Sequence, residues 1–279
     1  MNHPAVSFKD YTKNRPIERI IFFYLLPIRK KVALHNLDLC FPNKDLKWKK
    51  NIVKESYINL AIDMFEFFYF PSLTQTLTNS FVRFHELNLV TNGLVNKKGI
   101  LFLSGHFSNW ELTAFSYPEV TGEKLNIIAK KQASRRLNKR IDEYRELSGN
   151  EIISIGFSLK KIYEKLSKNE IVCFLTDQSA HPDYSVYVNF FGKKVPSFSG
   201  PAKIALKLRP VLIFGYGIRQ KDYTYDIMFE NINYDDLEES SEANIRILSQ
   251  RISDCMEKII RENSGQWLWF HKRFKHMKT

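Results

Sequence analysis

The chain has 279 residues, of which 44% are apolar and 26% are charged. A chain of this length can bury a hydrophobic core without disulfides or metal ions, so its composition excludes collagen-like, disordered and small disulfide-stabilised proteins. With 42 Lys and Arg against 30 Asp and Glu, the formal net charge is +12. This excess predicts an acidic partner, which is a nucleic acid, an anionic lipid surface or an acidic protein.

The N-terminal region has the charge pattern of a membrane-surface segment. Met1–Arg19 is too polar for the apolar core of a signal peptide. Ile20–Ile28 is apolar but far shorter than the roughly 20 residues of a membrane-spanning helix. Because basic residues flank it, Ile20–Ile28 is predicted to lie in the membrane interface, and packing in the protein core is the alternative.

The three cysteines, Cys40, Cys173 and Cys255, lie far apart in the sequence. They form no Cys-x-x-Cys pair that would hold zinc, so we predict no metal site. Cys173 lies in an apolar run and is predicted to be a core residue. Nothing in this pattern indicates an oxidising compartment, so a cytosol-facing protein is expected.

Hydrophobic patterning predicts an α/β fold with a mainly parallel central sheet flanked by helices. A long amphipathic helix is predicted at Asp45–Phe70, and short apolar runs then alternate with helical stretches. The predicted strands are Ile100–Ser104, Leu125–Ala129, Glu151–Ile155, Ile171–Thr176, Val211–Tyr216 and Tyr223–Phe229. The predicted helices are Trp110–Tyr117, Ser134–Leu147, Leu159–Ser167, Pro201–Leu208 and Glu242–Asn263. Residues 1–80 form a helical, membrane-facing part and residues 81–279 the α/β core, with no linker between them, so one continuous domain is predicted.

Charged residues are segregated along the chain. Basic blocks occur at Lys124–Arg145 and Lys193–Arg209 and in the tail Trp267–Thr279, whereas acidic residues gather at Asp222–Glu242. The segregation predicts one basic and one acidic face. Ordinary solvated charge runs are the alternative.

The loop that follows the first predicted strand contains a possible catalytic pair. His106 comes directly after this strand and Gly105, and Glu111 lies five positions later. A carboxylate that accepts a hydrogen bond from one imidazole nitrogen fixes the tautomer, so the other nitrogen can deprotonate a hydroxyl. The alternative is structural: Ser108 and Glu111 also match a helix capping box.

Four blocks in the same order resemble a known enzyme family. Residues 106–111, His-Phe-Ser-Asn-Trp-Glu, resemble the HX4(D/E) motif of glycerolipid acyltransferases, in the form found in bacterial lipid A late acyltransferases. The other blocks are Asn138–Asp142 with Arg145, then Asp177-Gln178 with Phe190–Gly192 and Gly200–Ala202, and finally Gln266–Phe274, which is similar to the family's Trp-x-Trp-x-His-(Arg/Lys)-Arg ending. One HX4E motif is weak evidence, but four blocks in order are specific.

The chain departs from this family in two places. Many members begin with a membrane-spanning helix, which the polar N-terminus does not supply. After Asp177-Gln178 the chain continues Ser-Ala-His, where lipid A enzymes usually have another acid and glycines. Both differences affect the expected identity of the acyl acceptor more than the expected type of reaction.

The resemblance implies a glycerolipid-acyltransferase-like fold and acyl transfer from a thioester of acyl carrier protein or coenzyme A to a hydroxyl of a lipid or glycolipid such as a lipid A precursor. It implies no cofactor, His106 as general base and Glu111 as the residue that orients it. Backbone amides near Gly105, or a cation of the second block, would stabilise the oxyanion. Further substrate-binding candidates are Asn109, Lys131, Arg135, Arg145, Asp177 and Gln178. Of the two donors, a broad basic face favours the acyl carrier protein.

The expected location is the cytoplasmic face of the bacterial inner membrane, where the protein would bind peripherally to anionic lipid. The main alternative is a non-catalytic protein that binds the membrane or acyl carrier protein. A nucleic-acid-binding protein is not favoured, because recognition motifs are missing from the sequence. A serine hydrolase is not favoured either, because the sequence contains no Gly-x-Ser-x-Gly motif.

Overall fold

The computed structural model describes residues 29–130, 134–155 and 158–278, so the predicted segment Ile20–Ile28 lies outside the described residues. The strands are β1 Val82–Phe84, β2 Ile100–Ser104, β3 Leu125–Ala129, β4 Glu151–Ser154, β5 Ile171–Leu175, β6 Ser185–Phe190, β7 Lys193–Phe198, β8 Val211–Arg219 and β9 Tyr225–Asn231. Seven of them form one sheet in the order β1-β9-β8-β2-β5-β3-β4, and β6 and β7 form a separate antiparallel hairpin. Strands β8, β2, β5, β3 and β4 are parallel, whereas β9 is antiparallel to β8. The predicted mainly parallel sheet is confirmed.

Helices flank this sheet, as predicted. In the described ranges they are α1 Lys30–Cys40, α2 Leu46–Tyr69, α3 Gln75–Phe81, α4 Leu87–Val95, α5 Trp110–Thr121, α6 Arg135–Glu146, α7 Ser158–Ser167, α8 Gly200–Leu208 and α9 Glu242–Glu262. Asp45 caps the long helix α2 by accepting a hydrogen bond from the backbone N–H of Trp48. Within the part of the chain that the structure describes, no helix has the length and apolar character needed to cross a membrane.

Several elements were not predicted from the sequence. They are the short strand β1, the β6–β7 hairpin and helix α4, whereas α1 and α3 belong to the predicted helical N-terminal part, for which no separate bounds were predicted. The hairpin strands interleave polar and apolar residues and contain Pro196, so they lack the continuous apolar runs of the sheet strands. Strand β1 has only three residues, too few to show a pattern.

The central strands are apolar on both faces because helices cover both. All five residues of β2 are buried. Leu101 and Leu103 pack in one hydrophobic cluster with residues of α8 and α9, while Ile100 and Phe102 pack in the other with residues of α5. Helices α1 and α2 contribute to the first cluster through residues such as Leu37 and Tyr57. Cys173 is buried, as predicted, and its thiol is free.

The pairing of β2 with β5 positions the two loops that contain the candidate site residues His106 and Asp177. These strands are parallel neighbours, and Ser104, the last residue of β2, is in register with Leu175, the last residue of β5. The ladder continues for one more bond, from the backbone N–H of Thr176 to the carbonyl of Ser104 at 2.9 Å. The carboxyl ends of parallel strands meet at one sheet edge, so the loops after Ser104 and Thr176 lie side by side.

Candidate active site

His106 and Asp177 form the centre of the site. The imidazole Nδ1 of His106 lies 2.8 Å from Oδ1 of Asp177, and the backbone N–H of His106 donates to Oδ2 at 2.9 Å. The His106 side chain is 11% exposed and that of Asp177 only 1%. A buried carboxylate bonded to Nδ1 fixes the ring tautomer, so Nε2 is the nitrogen that can accept a proton.

The C-terminal segment holds this pair in place. The indole N–H of Trp267 donates to Oδ2 of Asp177 at 3.0 Å. The backbone N–H of Leu268 donates to the carbonyl of His106 at 3.0 Å, and that of Ser108 donates to the carbonyl of Gln266 at 2.6 Å. The closing sequence block therefore lies directly against the histidine loop. Trp267 and Trp269 are both buried in the hydrophobic core.

The environment of Asp177 keeps it ionised. Burial by itself would raise the pKa of this carboxyl, but the ring and the backbone N–H of His106 stabilise the carboxylate more strongly, and His271 adds to this. The net result is a pKa below the ordinary value for aspartate. Asp177 is therefore a permanent negative charge beside the His106 ring, suited to stabilise the imidazolium that forms when His106 takes up a proton.

Glu111 is not the residue that holds Nδ1 of His106. Its carboxylate accepts two hydrogen bonds from Arg145, from Nε at 2.8 Å and from Nη2 at 2.5 Å. It also accepts the indole N–H of Trp110 at 3.1 Å, and the Trp110 ring in turn packs edge-on against His106 with centroids 4.8 Å apart. The structure thus places Asp177, and not Glu111, at Nδ1 of His106, because Glu111 lies in the first turn of helix α5, where Arg145 of α6 reaches it.

Asn109, not Ser108, is the N-cap of helix α5. Its Oδ1 accepts the backbone N–H of Leu112 at 2.8 Å, and its Nδ2 donates to the buried Glu66 at 2.8 Å. The alternative capping box of Ser108 with Glu111 is therefore wrong. Asn109 is also 1% exposed, so the structure gives it a capping role and does not support the predicted substrate contact.

A buried polar network anchors this loop to helix α2. Glu66 accepts hydrogen bonds from Asn109 and from the hydroxyl of Tyr225. Tyr225 also accepts from Arg219 at 2.7 Å, and Arg219 forms an ion pair with the buried Asp63 of α2. Such a network is costly to disrupt because each member is removed from water, so it rigidifies the base of the site.

Gly105 is required by close packing. A Cβ at this position would come within 2.9 Å of the Phe107 ring and 3.4 Å of Cβ of Asp177. The reason for glycine is thus the close packing of the Phe107 ring against the backbone of its own loop.

The predicted basic residues have different positions. Arg145 is bound to Glu111. Burial lowers the pKa of the Arg145 guanidinium, but the hydrogen bonds to Glu111 raise it more strongly, so the net pKa lies above its ordinary value. Arg135 is exposed at the start of α6. Lys131 lies outside the described residues.

His271 lies beside His106, although the sequence offered no specific role for it. The two imidazole centroids are 5.1 Å apart, and Nε2 of His271 is 3.4 Å from the amide nitrogen of Gln178. Burial first, then the neighbouring His106, lowers the pKa of His271 to about 4. The signal for this residue was its place in the closing sequence block, but its proximity to His106 depends on the fold.

An apolar cavity opens beside the Trp110–Glu111–Arg145 cluster. The space inside it that the centre of a water molecule can occupy is about 50 Å³, and the cavity is partly open to solvent. Residues of β2, α5, β3, β5 and β9 line it, among them Phe102, Ala114, Tyr117, Leu125, Ile127 and Phe229. Ser104 also lines the cavity, so the cavity reaches the start of the loop that contains His106.

Among residues 29–130, 134–155 and 158–278, no group of three or more His, Cys, Asp or Glu side chains is arranged to hold a metal ion. Two titratable side chains lie directly beside His106, namely Asp177 and His271. The Glu111–Arg145 ion pair lies farther away, next to Trp110.

Comparison with known proteins gives a consistent result. The sequence profile of bacterial lipid A biosynthesis acyltransferases matches residues 19–276. The chain is 22% identical over 256 residues to the lipid A biosynthesis palmitoleoyltransferase of Escherichia coli K12, covering 88% of this chain and 79% of the relative. A lipid A biosynthesis acyltransferase of Shigella flexneri matches with the same identity and coverage.

Proposed function

Because this chain belongs to the bacterial lipid A biosynthesis acyltransferase family, we propose that it transfers a fatty acyl chain from a thioester to a hydroxyl of a lipid A precursor, with His106 as general base. Family membership and the names of the relatives identify the protein as an acyltransferase, so the alternative of a non-catalytic binding protein is set aside. The observation that carries the proposed mechanism is the bond between Nδ1 of His106 and the buried Asp177.

The reaction follows from this pair. Nε2 of His106 takes the proton of the acceptor hydroxyl while the hydroxyl oxygen bonds to the thioester carbonyl carbon. The carbonyl electrons move to its oxygen and form a tetrahedral oxyanion. When the oxyanion collapses, the carbon–sulfur bond breaks, and the leaving thiolate receives the proton from His106. Asp177 stabilises the transient imidazolium, and no covalent acyl-enzyme or cofactor is needed.

Glu111 acts through its neighbours in this proposal. Its bidentate pairing with Arg145 joins the first turn of α5 to the last turn of α6. Its bond to Trp110 also holds the indole that packs against His106. Glu111 thus positions the wall of the site, and the side chain that orients His106 is Asp177.

We assign the acyl chain to the apolar cavity. Its lining is almost entirely apolar, and it adjoins Ser104 at the start of the loop that carries His106. A hydrocarbon chain is stabilised by such a lining through removal from water. The Escherichia coli relative is named for the transfer of a palmitoleoyl chain, which is also a hydrocarbon chain.

For the donor, we favour acyl carrier protein over coenzyme A. A groove of the β6–β7 hairpin, the start of α8 and the start of α9 is lined by four cations, Lys194, Lys203, Arg246 and Lys278, against two acids, Asp183 and Glu242. A broad basic surface steers an acidic protein onto its docking site, whereas a small anionic donor needs only a local phosphate site.

We propose peripheral attachment to anionic lipid at the cytoplasmic face of the inner membrane. Helix α6 has no buried residue and begins with exposed cations. Leu137 of α6 is 55% exposed, and Phe68 of α2 is 63% exposed. The two helices are in contact where Phe67 packs on Tyr144 with centroids 5.2 Å apart. Exposed apolar side chains among cations fit an interface of acyl chains and anionic head groups.

The proposed function is tested with purified protein, palmitoleoyl thioesters of acyl carrier protein and of coenzyme A, and under-acylated bacterial lipid A. Mass spectrometry should show one added acyl chain with the wild-type protein and none with His106→Ala. If wild-type protein adds no acyl chain with either donor, the proposed function is wrong.

A further inference from the structure

The oxyanion of the tetrahedral intermediate needs hydrogen-bond donors, and this inference about them rests on the proposed function. Preorganised donors that face the developing charge usually make the largest single contribution to such reactions. The sequence predicted backbone amides near Gly105 or a cation of the second block.

Three backbone amides after Gly105 and the guanidinium of Arg145 are engaged inside the protein. The backbone N–H groups that follow Gly105 donate to Asp177 (His106), to the carbonyl of Gly105 (Phe107) and to the carbonyl of Gln266 (Ser108). The guanidinium of Arg145 is bonded to both oxygens of Glu111. Using any of them for the oxyanion would break a bond that holds the site together.

His271 and Gln178 remain beside the general base. Gln178 directly follows Asp177 in the chain, so its position is tied to the same loop. The His271 ring lies 5.1 Å from the His106 ring, centroid to centroid, so a substrate that binds at Nε2 of His106 also lies next to His271.

The segment that carries His271 is fixed by a buried side chain. Asn36 of α1 is 1% exposed and donates from Nδ2 to the carbonyls of Trp269, at 2.8 Å, and of His271, at 2.7 Å. Such rigid placement is what a preorganised donor requires.

The contact with Gln178 sets the tautomer of His271. An amide N–H can donate only to a ring nitrogen without a proton, so donation from Gln178 to Nε2 of His271 leaves the ring proton on Nδ1. The second N–H of the Gln178 amide is then also available. Because the pKa of His271 is lowered to about 4, its ring is neutral at physiological pH and acts as a neutral donor, without competing with His106 for the transferred proton.

We infer that His271 and Gln178 supply the hydrogen bonds that stabilise the oxyanion, opposite the proton transfer carried out by His106. The substrate oxygen that gains the electron pair in the attack accepts from His271 and Gln178, and these bonds weaken again when the thiolate leaves.

The experiment compares His271→Phe, which keeps a ring but no donor, with His271→Asn, whose amide N–H lies near the position of Nδ1–H. Gln178→Met removes the second donor at similar volume. His276→Phe, in the same C-terminal segment, is the matched control. Steady-state rates are measured with palmitoleoyl-acyl carrier protein and under-acylated lipid A, alongside the thermal midpoint of each variant.

His271→Phe should lower kcat by about 10²–10³-fold with little change in KM, because the lost bonds form only in the transition state. His271→Asn should recover part of this loss, Gln178→Met should also lower kcat, and His276→Phe should behave as wild type. The inference is overturned if the wild-type protein is active while His271→Phe keeps its kcat and only KM rises, or if Phe and Asn lose activity equally. Inactive wild-type protein would overturn the proposed function and this inference together.

Discussion

Trp267 donates its indole N–H to the carboxylate of Asp177, across 90 positions of sequence. The same oxygen accepts the backbone N–H of His106. The C-terminal block, the loop after β5 and the loop after β2 therefore share one buried oxygen atom. Three sequence blocks that lie far apart in the chain thus each contribute one residue, His106, Asp177 or Trp267, to the same hydrogen-bonded centre.

The first prediction concerns that centre. His106→Ala and Asp177→Asn should each lower kcat by about 10²–10⁴-fold, because the first removes the base and the second removes the charge that stabilises its protonated form. Glu111→Gln should cost less than Asp177→Asn, because Glu111 acts through Arg145 and Trp110. Single-turnover rates and thermal midpoints check this. Full turnover in Asp177→Asn would contradict the orienting role.

The second prediction concerns the acyl cavity. Ala114 lines it, so Ala114→Phe should fill part of the space and shift the preferred donor toward shorter acyl chains. Competition between thioesters of different chain length, followed by mass spectrometry of the product, measures the shift. Ala243→Phe, at an exposed position of α9, is the control. An unchanged chain-length preference in Ala114→Phe would show that the chain binds elsewhere.

The third prediction concerns stability in acid. The folded-state pKa of His271, about 4, lies below its usual value of 6.5. The folded protein therefore binds fewer protons than the unfolded chain between these values, and stability present above pH 6.5 is lost as pH falls toward 4. The full shift corresponds to about 3 kcal/mol. Urea unfolding across this range should show a weaker pH dependence in His271→Phe than in wild type or His276→Phe. Equal slopes in all three would refute the assignment.

The fourth prediction concerns membrane binding. The protein should sediment with anionic phosphatidylglycerol vesicles and be released by high salt, since each basic residue near such a surface contributes about 1 kcal/mol. Arg135→Glu with Leu137→Ser should weaken binding, whereas Val95→Ser with Lys98→Glu, at exposed positions just before the amino end of β2, should not. Deleting Ile20–Ile28 should weaken it further. Sedimentation that is independent of salt and lipid charge would exclude this electrostatic attachment.

The fifth prediction concerns the donor. Lys193→Glu with Lys194→Glu should lower the apparent second-order rate with acyl carrier protein, chiefly at low salt, because electrostatic steering is screened by ions. The rate with acyl-coenzyme A should change less, and Lys98→Glu is the control for a change of charge elsewhere. If coenzyme A is the better donor and the reversals leave the carrier-protein rate unchanged, the carrier-protein assignment is wrong.

Much of the fold was accessible from sequence because its signals are local. Apolar runs such as Ile171–Leu175, buried between two helical layers, can only be central strands or buried helices, and their length favours strands. The β6–β7 hairpin escaped prediction because polar residues interrupt its apolar runs and because its contacts with α9, for example between Asn189 and Gln250, join distant positions. Contacts between positions so far apart in the sequence leave no periodic pattern in it.

By itself, the sequence determined the α/β class, the family and the position of His106 at the end of a strand. Only the tertiary structure decided which carboxylate serves His106. Glu111 is nearest in sequence, but helix α5 carries it to Arg145. Asp177 is 71 positions away, and the parallel pairing of β2 with β5 brings the two loops to one sheet edge. Strand order depends on the packing of the whole chain, so the hydrogen-bond partner of His106 follows from topology and not from spacing.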